Sequence, residues 1–401
     1  MTSTDLVAYA GARIFDGEHW HDRAALVVDG ARIHAIAAEI PPGATRVDLG
    51  GGILAPGFVD LQVNGGGGLM VGAGTSADDL AAICATHAQF GATAVLPTLI
   101  TDTPAVTDAV LAAGAAAART GVPGFLGLHL EGPHLSLARK GAHDPALIRP
   151  MDEADLVRLE RARRLLPHLL VTVAPETVTP EQIARLVRAG IVVSLGHSDA
   201  SFEIASAAIR AGASMATHLF NAMSRIGNRD PGVAGAALHH GSVWAGLIAD
   251  GIHVHPATVA IALAAKRGPG RIFLVSDSMS QAGTALESFD LGGRTIFRRD
   301  GALRLADGTL AGADLTIGGA VHEAHRRFGL ELGECLRMAS LYPAAAIGAP
   351  GLGRLGSGAE ASFVYMDMDS GVRRIWVRGE RLRGDRLDAI QIGRQFADPS
   401  A

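Results

Sequence analysis

Apolar strand-like runs alternate with helix-like segments from about residue 53 to residue 280, and this alternation constrains the fold more than any other feature. The strand candidates are apolar almost throughout and run, in order, GILAPGFVDLQVN, TAVLPTLI, GFLGLHLEG, LLVTVAPE, IVVSLGHS, SMATHLF, WAGLIADGIHV and RIFLVSDS. Amphipathic helix candidates such as PEQIARLVRAG lie between most of them. Strands of this kind, separated by helices, are typical of a parallel sheet that is covered on both faces. Eight such units predict an α/β fold with a closed (β/α)8 TIM-like barrel.

An open, doubly wound sheet fits this sequence less well. No GxGxxG motif follows the first strand candidate, and the glycines at 65–68 do not precede a helix with a suitably placed acidic residue. Both ends of the chain read instead as short alternating strands with too little apolar surface for separate cores. We therefore predict that residues 1–55 and 354–401 combine into a small β-sandwich domain, and that residues 56–353 form the barrel.

Composition excludes several functional classes. The 401 residues are 48% hydrophobic and 19% charged, which is typical of a globular chain rather than a disordered one. A net charge of -5, without a basic stretch interleaved with aromatics, argues against nucleic-acid binding. Two distant cysteines, Cys84 and Cys335, together with the lack of a signal-like or membrane-spanning stretch, favour a cytoplasmic protein.

Four acidic or imidazole side chains end predicted strands. Glu131 ends the third strand, His197 the fifth, His218 the sixth and Asp277 the eighth. Each alone is more simply a loop residue or a hydrogen-bonded histidine, but barrel active sites lie at the carboxyl ends of the strands. Two imidazoles and one carboxylate are donors that Zn²⁺ or Fe²⁺ accepts, and three ligands leave a position for water.

Asp277 is the predicted general base for that water. The alternative is that Asp277, with Ser278, caps a helix after the eighth strand.

The residues at the ends of strands one and four bear on the number of metal ions. Barrel hydrolases with two ions use a His-x-His motif after strand one and a modified lysine after strand four. Here the first position holds Gln62-x-Asn64 and the second holds Glu176, so we predict one divalent ion per subunit, with Zn²⁺ favoured.

A family resemblance covers about residues 52 to 320. It is carried by the motifs PGFVDLQVNGGGG, HLEGPHLS, KGAHDP, SLGHSDA, THLFNAM, RDPGVAGAAL, DGIHV, VSDSM and LAGADLTI, in this order. Together they resemble the N-acetylglucosamine-6-phosphate deacetylases of the amidohydrolase superfamily, in the branch that carries Gln-x-Asn and one metal.

The resemblance implies that Glu131, His197 and His218 are the metal ligands and that Asp277 is the general base and acid. It adds His143 as the side chain that polarises the acetamide carbonyl. It also implies a substrate-binding set, which comprises Ala142, His143, Asn221, Ala222, Leu310, Ala311 and Gly312. Gln62 and Asn64 are counted with this set, because their amides are expected to position water or the metal ligands by hydrogen bonds. Arg229 and His253 are expected to reach the phosphate bound by the neighbouring subunit, which implies a homodimer. Without the resemblance, a surface salt bridge for Arg229 and loop hydrogen bonds for His143 and His253 would explain these residues.

The implied reaction is deacetylation of N-acetyl-D-glucosamine 6-phosphate to D-glucosamine 6-phosphate and acetate. The same chemistry on N-acetylgalactosamine 6-phosphate is an open alternative, as is hydrolysis of a cyclic amide or an N-acyl amino acid. A barrel that has become a scaffold is disfavoured because all four residues of the metal and base set are present. His134 and Ser278 depart from the family pattern, and both could tune the choice of metal or substrate.

Overall fold

The structure, a computed structural model, describes residues 6–367 and 371–382. Its strands in these ranges are β1 (Leu6–Ala10), β2 (Arg13–Phe15), β3 (Trp20–His21), β4 (Ala25–Asp29), β5 (Arg32–Ala37), β6 (Thr45–Asp48), β7 (Ile53–Pro56), β8 (Phe58–Val63), β9 (Gly65–Gly66), β10 (Leu69–Met70), β11 (Ala92–Ile100), β12 (Leu128–Glu131), β13 (Leu169–Val173), β14 (Val192–Leu195), β15 (Met215–Ala216), β16 (Trp244–Leu247), β17 (Ile272–Leu274), β18 (Ser288–Leu291), β19 (Arg294–Arg299), β20 (Ala302–Arg304), β21 (Leu310–Ala313), β22 (Phe363–Asp367), β23 (Gly371–Val377) and β24 (Glu380–Arg381). Its helices are α1 (Ala77–Ala88), α2 (Pro104–Thr120), α3 (Glu153–Arg163), α4 (Pro180–Arg188), α5 (Phe202–Arg210), α6 (Gly232–His239), α7 (Pro256–Ala265), α8 (Ile317–Arg326), α9 (Leu332–Ala339) and α10 (Leu341–Ala346), with a 3₁₀ turn at Leu137–Arg139.

Eight parallel strands form the central barrel, which confirms the prediction from the strand pattern. They follow one another around the sheet in the order β8, β11, β12, β13, β14, β15, β16 and β17. The seam between the last strand and the first is closed just beyond β17. There the Asp277 amide donates to the Gln62 carbonyl at 3.0 Å, and the Asn64 amide donates to the Ser278 carbonyl at 2.8 Å. The carboxyl ends of all eight strands therefore surround one mouth.

Burial on both faces explains why these segments became barrel strands. Every residue of β8 and of β13 is buried, as expected for strands packed between barrel interior and helices. Three helices, α1, α3 and α4, begin at capping boxes, in which Ser76, Asp152 and Thr179 each accept a hydrogen bond from a first-turn amide. The main apolar cluster joins the strands to these helices. No helix in the described ranges has both the length and the apolar character to span a bilayer.

Strands from the two ends of the chain form a separate sheet-rich region, as predicted. One sheet has the order β5-β4-β1-β6, and the other has the order β24-β23-β22-β7-β2-β3. Tyr9 of the first sheet packs edge-on against Phe363 and Trp376 of the second, and the latter two rings stack at 4.6 Å. We refer to these two sheets as the terminal sheets. The boundaries proposed for this domain remain predictions, and its residues 1–5, 368–370 and 383–401 lie outside the described residues.

A four-stranded antiparallel sheet, β18-β19-β20-β21, lies between β17 and α8. We call it the insert sheet. It has an apolar cluster of its own, built from Met279, Leu291, Ile296, Leu303 and Ala311. Ile100 at the end of β11 and Ala142 of the loop after β12 pack against this cluster. The sequence analysis anticipated only residues of its last strand, Leu310 to Gly312, as part of the substrate-binding set.

Candidate active site and metal centre

The mouth of the barrel opens into a cavity of about 340 Å³. Its walls combine residues at the ends of barrel strands with residues of the insert sheet. The lining includes Asn64, Ile100, Glu131, Arg139, Ala142, His143, His197, His218, Asn221, Ala222, Ile248, His253, Asp277, Met279, Leu291, Thr309, Leu310 and Gly312. Most of the residues predicted from the sequence therefore meet in one place.

The three predicted metal ligands converge at the base of this cavity. Glu131 Oε1 lies 3.0 Å from His218 Nε2 and 3.2 Å from His197 Nε2. The two imidazole Nε2 atoms are 3.1 Å apart. All three side chains are buried. Glu131 and His197 also group with His143, since one donor atom from each lies within 4.8 Å of the others.

Strained backbone directs these side chains inward. His197, His218 and Asp277 have φ values of 46°, 29° and 50°, in the left-handed region that non-glycine residues rarely adopt. Gly132, directly after Glu131, has φ 92°, and a Cβ there would lie 2.2 Å from the Thr101 hydroxyl. Left-handed conformations of non-glycine residues cost on the order of 1–3 kcal/mol each and tend to occur at functional sites.

The donor set fits a divalent cation. The ring nitrogen Nδ1 of His197 donates a hydrogen bond to the Arg139 carbonyl at 2.8 Å, so Nε2 presents a lone pair to the cluster. Burial alone would raise the pKa of Glu131, but the adjacent imidazoles of His197 and His218 hold it well below its ordinary value. Burial would lower the pKa of His218, yet the hydrogen bond to Glu131 raises it. The cluster thus favours a positive charge at its centre.

His143 is held as a hydrogen-bond donor. The Thr101 amide donates to His143 Nδ1 at 3.3 Å, and the Thr101 hydroxyl lies 2.8 Å from the same atom. Because Nδ1 accepts, the proton of the neutral ring is on Nε2, which lies 3.8 Å from Glu131 Oε2. Burial lowers the pKa of His143 to about 3, so the ring is neutral near pH 7. An Nε2–H that points into the cavity suits a donor to a carbonyl oxygen better than it suits a metal ligand.

Asp277 faces the ligand cluster across the mouth. Burial, followed by the charge of Glu131, raises its pKa to about 6. Its Oδ1 accepts a hydrogen bond from the Asn64 side-chain amide at 2.7 Å. The alternative role as a helix cap does not hold, because the next helix along the chain, α8, begins only at Ile317.

The two amides of the first strand contact carboxylates. Gln62 Nε2 donates to Glu131 Oε1 at 3.1 Å, while Asn64 lines the cavity and bonds Asp277. Gln62 itself is not one of the residues that line the cavity. Both amides orient the predicted ligand and base, which is the role that the sequence pattern suggested for them.

The outer cavity holds most of the predicted substrate-binding residues. Asn221 and Ala222 lie on one side, and Leu310 and Gly312 of the insert sheet line the cavity as well. Ala311 is instead buried in the apolar cluster of the insert sheet. Arg229 is exposed and does not line the cavity of its own chain as described.

His253 lies at the cavity of its own chain. Its side chain is only 5% exposed and lines the cavity of its own chain, with Nδ1 held 2.6 Å from Asp250 Oδ2. The ring is therefore fixed beside the cavity of its own chain, and its expected reach to the phosphate of a neighbouring subunit stays a prediction. The sequence analysis missed the partner, because Asp250 is three residues away in a turn whose geometry no pattern revealed.

The two departures from the family pattern have structural partners. His134 Nδ1 lies 3.1 Å from the Arg149 carbonyl, and its Nε2 is 3.5 Å from Asp155. The Ser278 hydroxyl donates to the Leu315 carbonyl. Neither residue is among those lining the cavity.

Two residues that matter here were not singled out in the sequence. Thr101 fixes the tautomer of His143, and Arg139 supplies the carbonyl that orients His197. A signal was present for Thr101, which directly follows β11 at the same rim as the other site residues. Arg139 acts through its backbone, for which residue type gives no signal.

Comparison with known proteins agrees with this geometry. The sequence profile of the Amidohydrolase family matches residues 53–383. The chain is 40% identical over 385 residues to an N-acetylgalactosamine-6-phosphate deacetylase of Shewanella sp. (strain ANA-3), covering 95% of this chain and 97% of that protein. It is 38% identical to an N-acetylglucosamine-6-phosphate deacetylase of Haemophilus influenzae, covering 81% and 85% of the two chains. The structure of N-acetylglucosamine-6-phosphate deacetylase from Pasteurella multocida superposes with a TM-score of 0.90 at 35% identity, covering 94% and 100% of the two chains.

Proposed function

Because the chain belongs to the Amidohydrolase family, we propose that it hydrolyses N-acetyl-D-glucosamine 6-phosphate to D-glucosamine 6-phosphate and acetate. One observation carries the proposal: a buried Glu131–His197–His218 cluster shares a cavity with a base, Asp277, and a neutral imidazole donor, His143. Relatives of at least 35% identity that are named as deacetylases of phosphorylated amino sugars support the choice of substrate.

The residues that would hold the metal are Glu131, His197 and His218. When bound, a divalent ion supplies Lewis acidity that lowers the pKa of water and polarises the acetamide carbonyl. We propose Zn²⁺, with Fe²⁺ as the alternative, since imidazole and carboxylate suit both. One ion per subunit follows from Gln62, whose amide hydrogen bonds to Glu131 where a second ion would need an imidazole.

The chain's own groups then carry the protons. Ionised Asp277 takes a proton from the attacking water, and the oxygen of that water forms a bond to the acetamide carbon. The Nε2–H of His143 donates to the carbonyl oxygen as negative charge develops there. Protonated Asp277 then gives its proton to the amine as the carbon–nitrogen bond breaks, which returns the carboxylate to its starting state.

The phosphate would lie at the outer end of the cavity. Asn221 and Ala222 line that end, and His253 is held there by Asp250. Arg229 is exposed, which supports its proposed role as a side chain that reaches the phosphate in a neighbouring subunit. A guanidinium suits phosphate because it offers a fork of donors. A homodimer with shared sites follows from this proposal. Arg229→Ala should raise KM, so the rate of this variant would depend more strongly on substrate concentration than that of the wild type.

We also propose a cytoplasmic enzyme. The support is that Cys84 and Cys335 are both free and buried in the described part of the chain.

Acetate release from the two phosphorylated amino sugars tests the proposal. Zinc-loaded enzyme should hydrolyse N-acetyl-D-glucosamine 6-phosphate, and the unphosphorylated sugar should be a much poorer substrate because it lacks the phosphate contacts. Absence of acetate release under these conditions would remove the proposal.

A second candidate substrate is N-acetyl-D-galactosamine 6-phosphate. The observation that favours it is the 40% identity to a protein named as a deacetylase of that sugar. The two sugars differ at one hydroxyl, so the same assay decides between them. A kcat/KM at least tenfold higher on the galacto compound would establish the alternative.

A further inference from the structure

The insert sheet is hydrogen-bonded to both sides of the barrel mouth. At one edge, the Ala313 amide of β21 donates to the Asp277 carbonyl at 2.9 Å. At the other edge, the hairpin of β18 and β19 reaches the loop that carries His143. The sheet thus connects the segment of the proposed base to the segment of the proposed carbonyl donor.

The tip of this hairpin is a tight two-residue turn. Leu291 pairs with Arg294 across it, and the turn residues Gly292 and Gly293 have φ values of 58° and 77°. Two left-handed residues give a turn whose twist matches that of the flanking strands. The Gly293 amide also donates to Asp290 Oδ1 at 3.1 Å. The turn therefore presents the side chains of Leu291 and Arg294 from a fixed backbone.

Both side chains point to the loop that carries Ala142 and His143, which we call the catalytic loop. Leu291 lines the cavity, and Arg294 Nη2 donates to the Ala142 carbonyl at 2.5 Å. Ala142 directly precedes His143. Since the ring of His143 is tied to Thr101 and its preceding carbonyl to Arg294, the residue is held at two points.

We propose that Arg294 is a positioning residue that fixes the backbone of the loop and so aims the Nε2–H of His143 at the substrate carbonyl. This inference rests on the proposed function. The effect arises because a donor to a developing oxyanion is sensitive to its placement, and a displacement of about 1 Å can cost on the order of 100-fold in rate. Arg294 would act through His143 and need not touch the substrate.

Replacement of Arg294 tests the proposal by steady-state kinetics. Arg294→Ala should lower kcat by about tenfold to 100-fold, with little change in KM and full metal content. Arg294→Lys keeps a donor and should recover part of the loss. Arg304→Ala is the matched control, because Arg304 Nη1 also donates to a backbone carbonyl of the insert region, that of Gly308, away from the catalytic loop. Equal kcat in Arg294→Ala and wild type would overturn the proposal.

A double-mutant cycle shows whether the effect passes through His143. In a His143→Ala background, Arg294→Ala should reduce the rate by no more than about twofold, since the group it positions is gone. The same fold-loss in both backgrounds would contradict a positioning role.

Nuclear magnetic resonance of ¹⁵N-histidine-labelled enzyme reads the placement of His143 without turnover. Arg294→Ala should shift or broaden the His143 ring signals, while Arg304→Ala should leave them unchanged. Unchanged ring signals in both variants would overturn the role of Arg294. Lack of acetate release by the wild type would instead overturn the proposed function, so the two failures are distinguishable.

Discussion

The barrel mouth and the terminal sheets both enclose buried side chains, but those side chains differ in chemical type. The mouth encloses ionisable groups, among them Glu131, His197 and Asp277, at exposures below 8%. The terminal sheets enclose the rings of Phe363 and Trp376, which stack at 4.6 Å. Burying polar and charged groups costs free energy unless partners compensate, whereas burying rings stabilises the fold. The comparison indicates that one region is built for reactivity and the other for stability.

The backbone shows the same contrast. Within the described residues, eight non-glycine residues have positive φ, and the five at the barrel mouth are His197, His218, Phe220, Ala222 and Asp277. The other three are Arg23, Asp300 and Arg378, none of which belongs to a helix or strand. Strain at the mouth must be over-determined by the surrounding packing, so the well-packed remainder of the molecule stabilises a site that is locally unfavourable.

The largest expected effect on activity comes from the base. Asp277→Asn should lower kcat by about 10³-fold or more, because an amide cannot accept the proton from water. The fold should persist, since asparagine tolerates the left-handed φ of 50° at this position. Initial-rate assays paired with metal analysis provide the measurement. A rate near that of the wild type would sink the assignment.

The carbonyl donor is expected to rank second. His143→Ala should reduce kcat by about 100-fold through loss of one oxyanion donor, with metal content unchanged because Glu131, His197 and His218 remain. His34→Ala in the exposed face of the terminal sheets is the control and should have no effect. Loss of the metal in His143→Ala would mean that the ring is a ligand.

A change of pH should affect the rate less than these substitutions do, by about tenfold for each pH unit below the pKa of Asp277. Burial and the charge of Glu131 raise the pKa of Asp277 to about 6, and the base works only when ionised. The rate should therefore be full above this pKa and fall about tenfold for each pH unit below it. A bound cation favours the carboxylate and moves this limb to lower pH. A profile of kcat/KM from pH 4 to 8 measures it, and a rate that rises as pH falls would contradict the role of Asp277.

The smallest effect on activity is expected from the terminal sheets. Phe363→Leu should destabilise the protein by about 1–3 kcal/mol through lost packing against Tyr9 and Trp376. The kcat of the folded variant should stay within about twofold of the wild type. Thermal unfolding and kinetics on the same sample test both halves. A large loss of kcat without a change in Tm would erase the distinction between the two regions.

The barrel and the base of its site were predictable because each depends on a pattern along the chain. Apolar strands that alternate with helices specify a parallel barrel, and such a barrel brings the ends of its strands to one mouth. That rule alone placed Glu131, His197, His218 and Asp277 together. In the structure these four side chains line one cavity.

The rest depends on contacts between segments that no local pattern specifies. The insert sheet was missed because its strands are short and only partly buried, as in RTIFRR, and carry little apolar alternation. The tautomer of His143 depends on the amide of Thr101, which is 42 residues away. The orientation of His253 depends on a carboxylate in its own turn, Asp250, which no residue pattern specifies.

Metal titration of apo-enzyme, followed by acetate release from N-acetyl-D-glucosamine 6-phosphate, tests the central claim most directly. The account predicts that activity rises linearly with added Zn²⁺ and saturates at one equivalent per chain. Glu131→Gln should abolish both tight binding and activity. Saturation at two equivalents, or full activity in the absence of metal, would contradict the account.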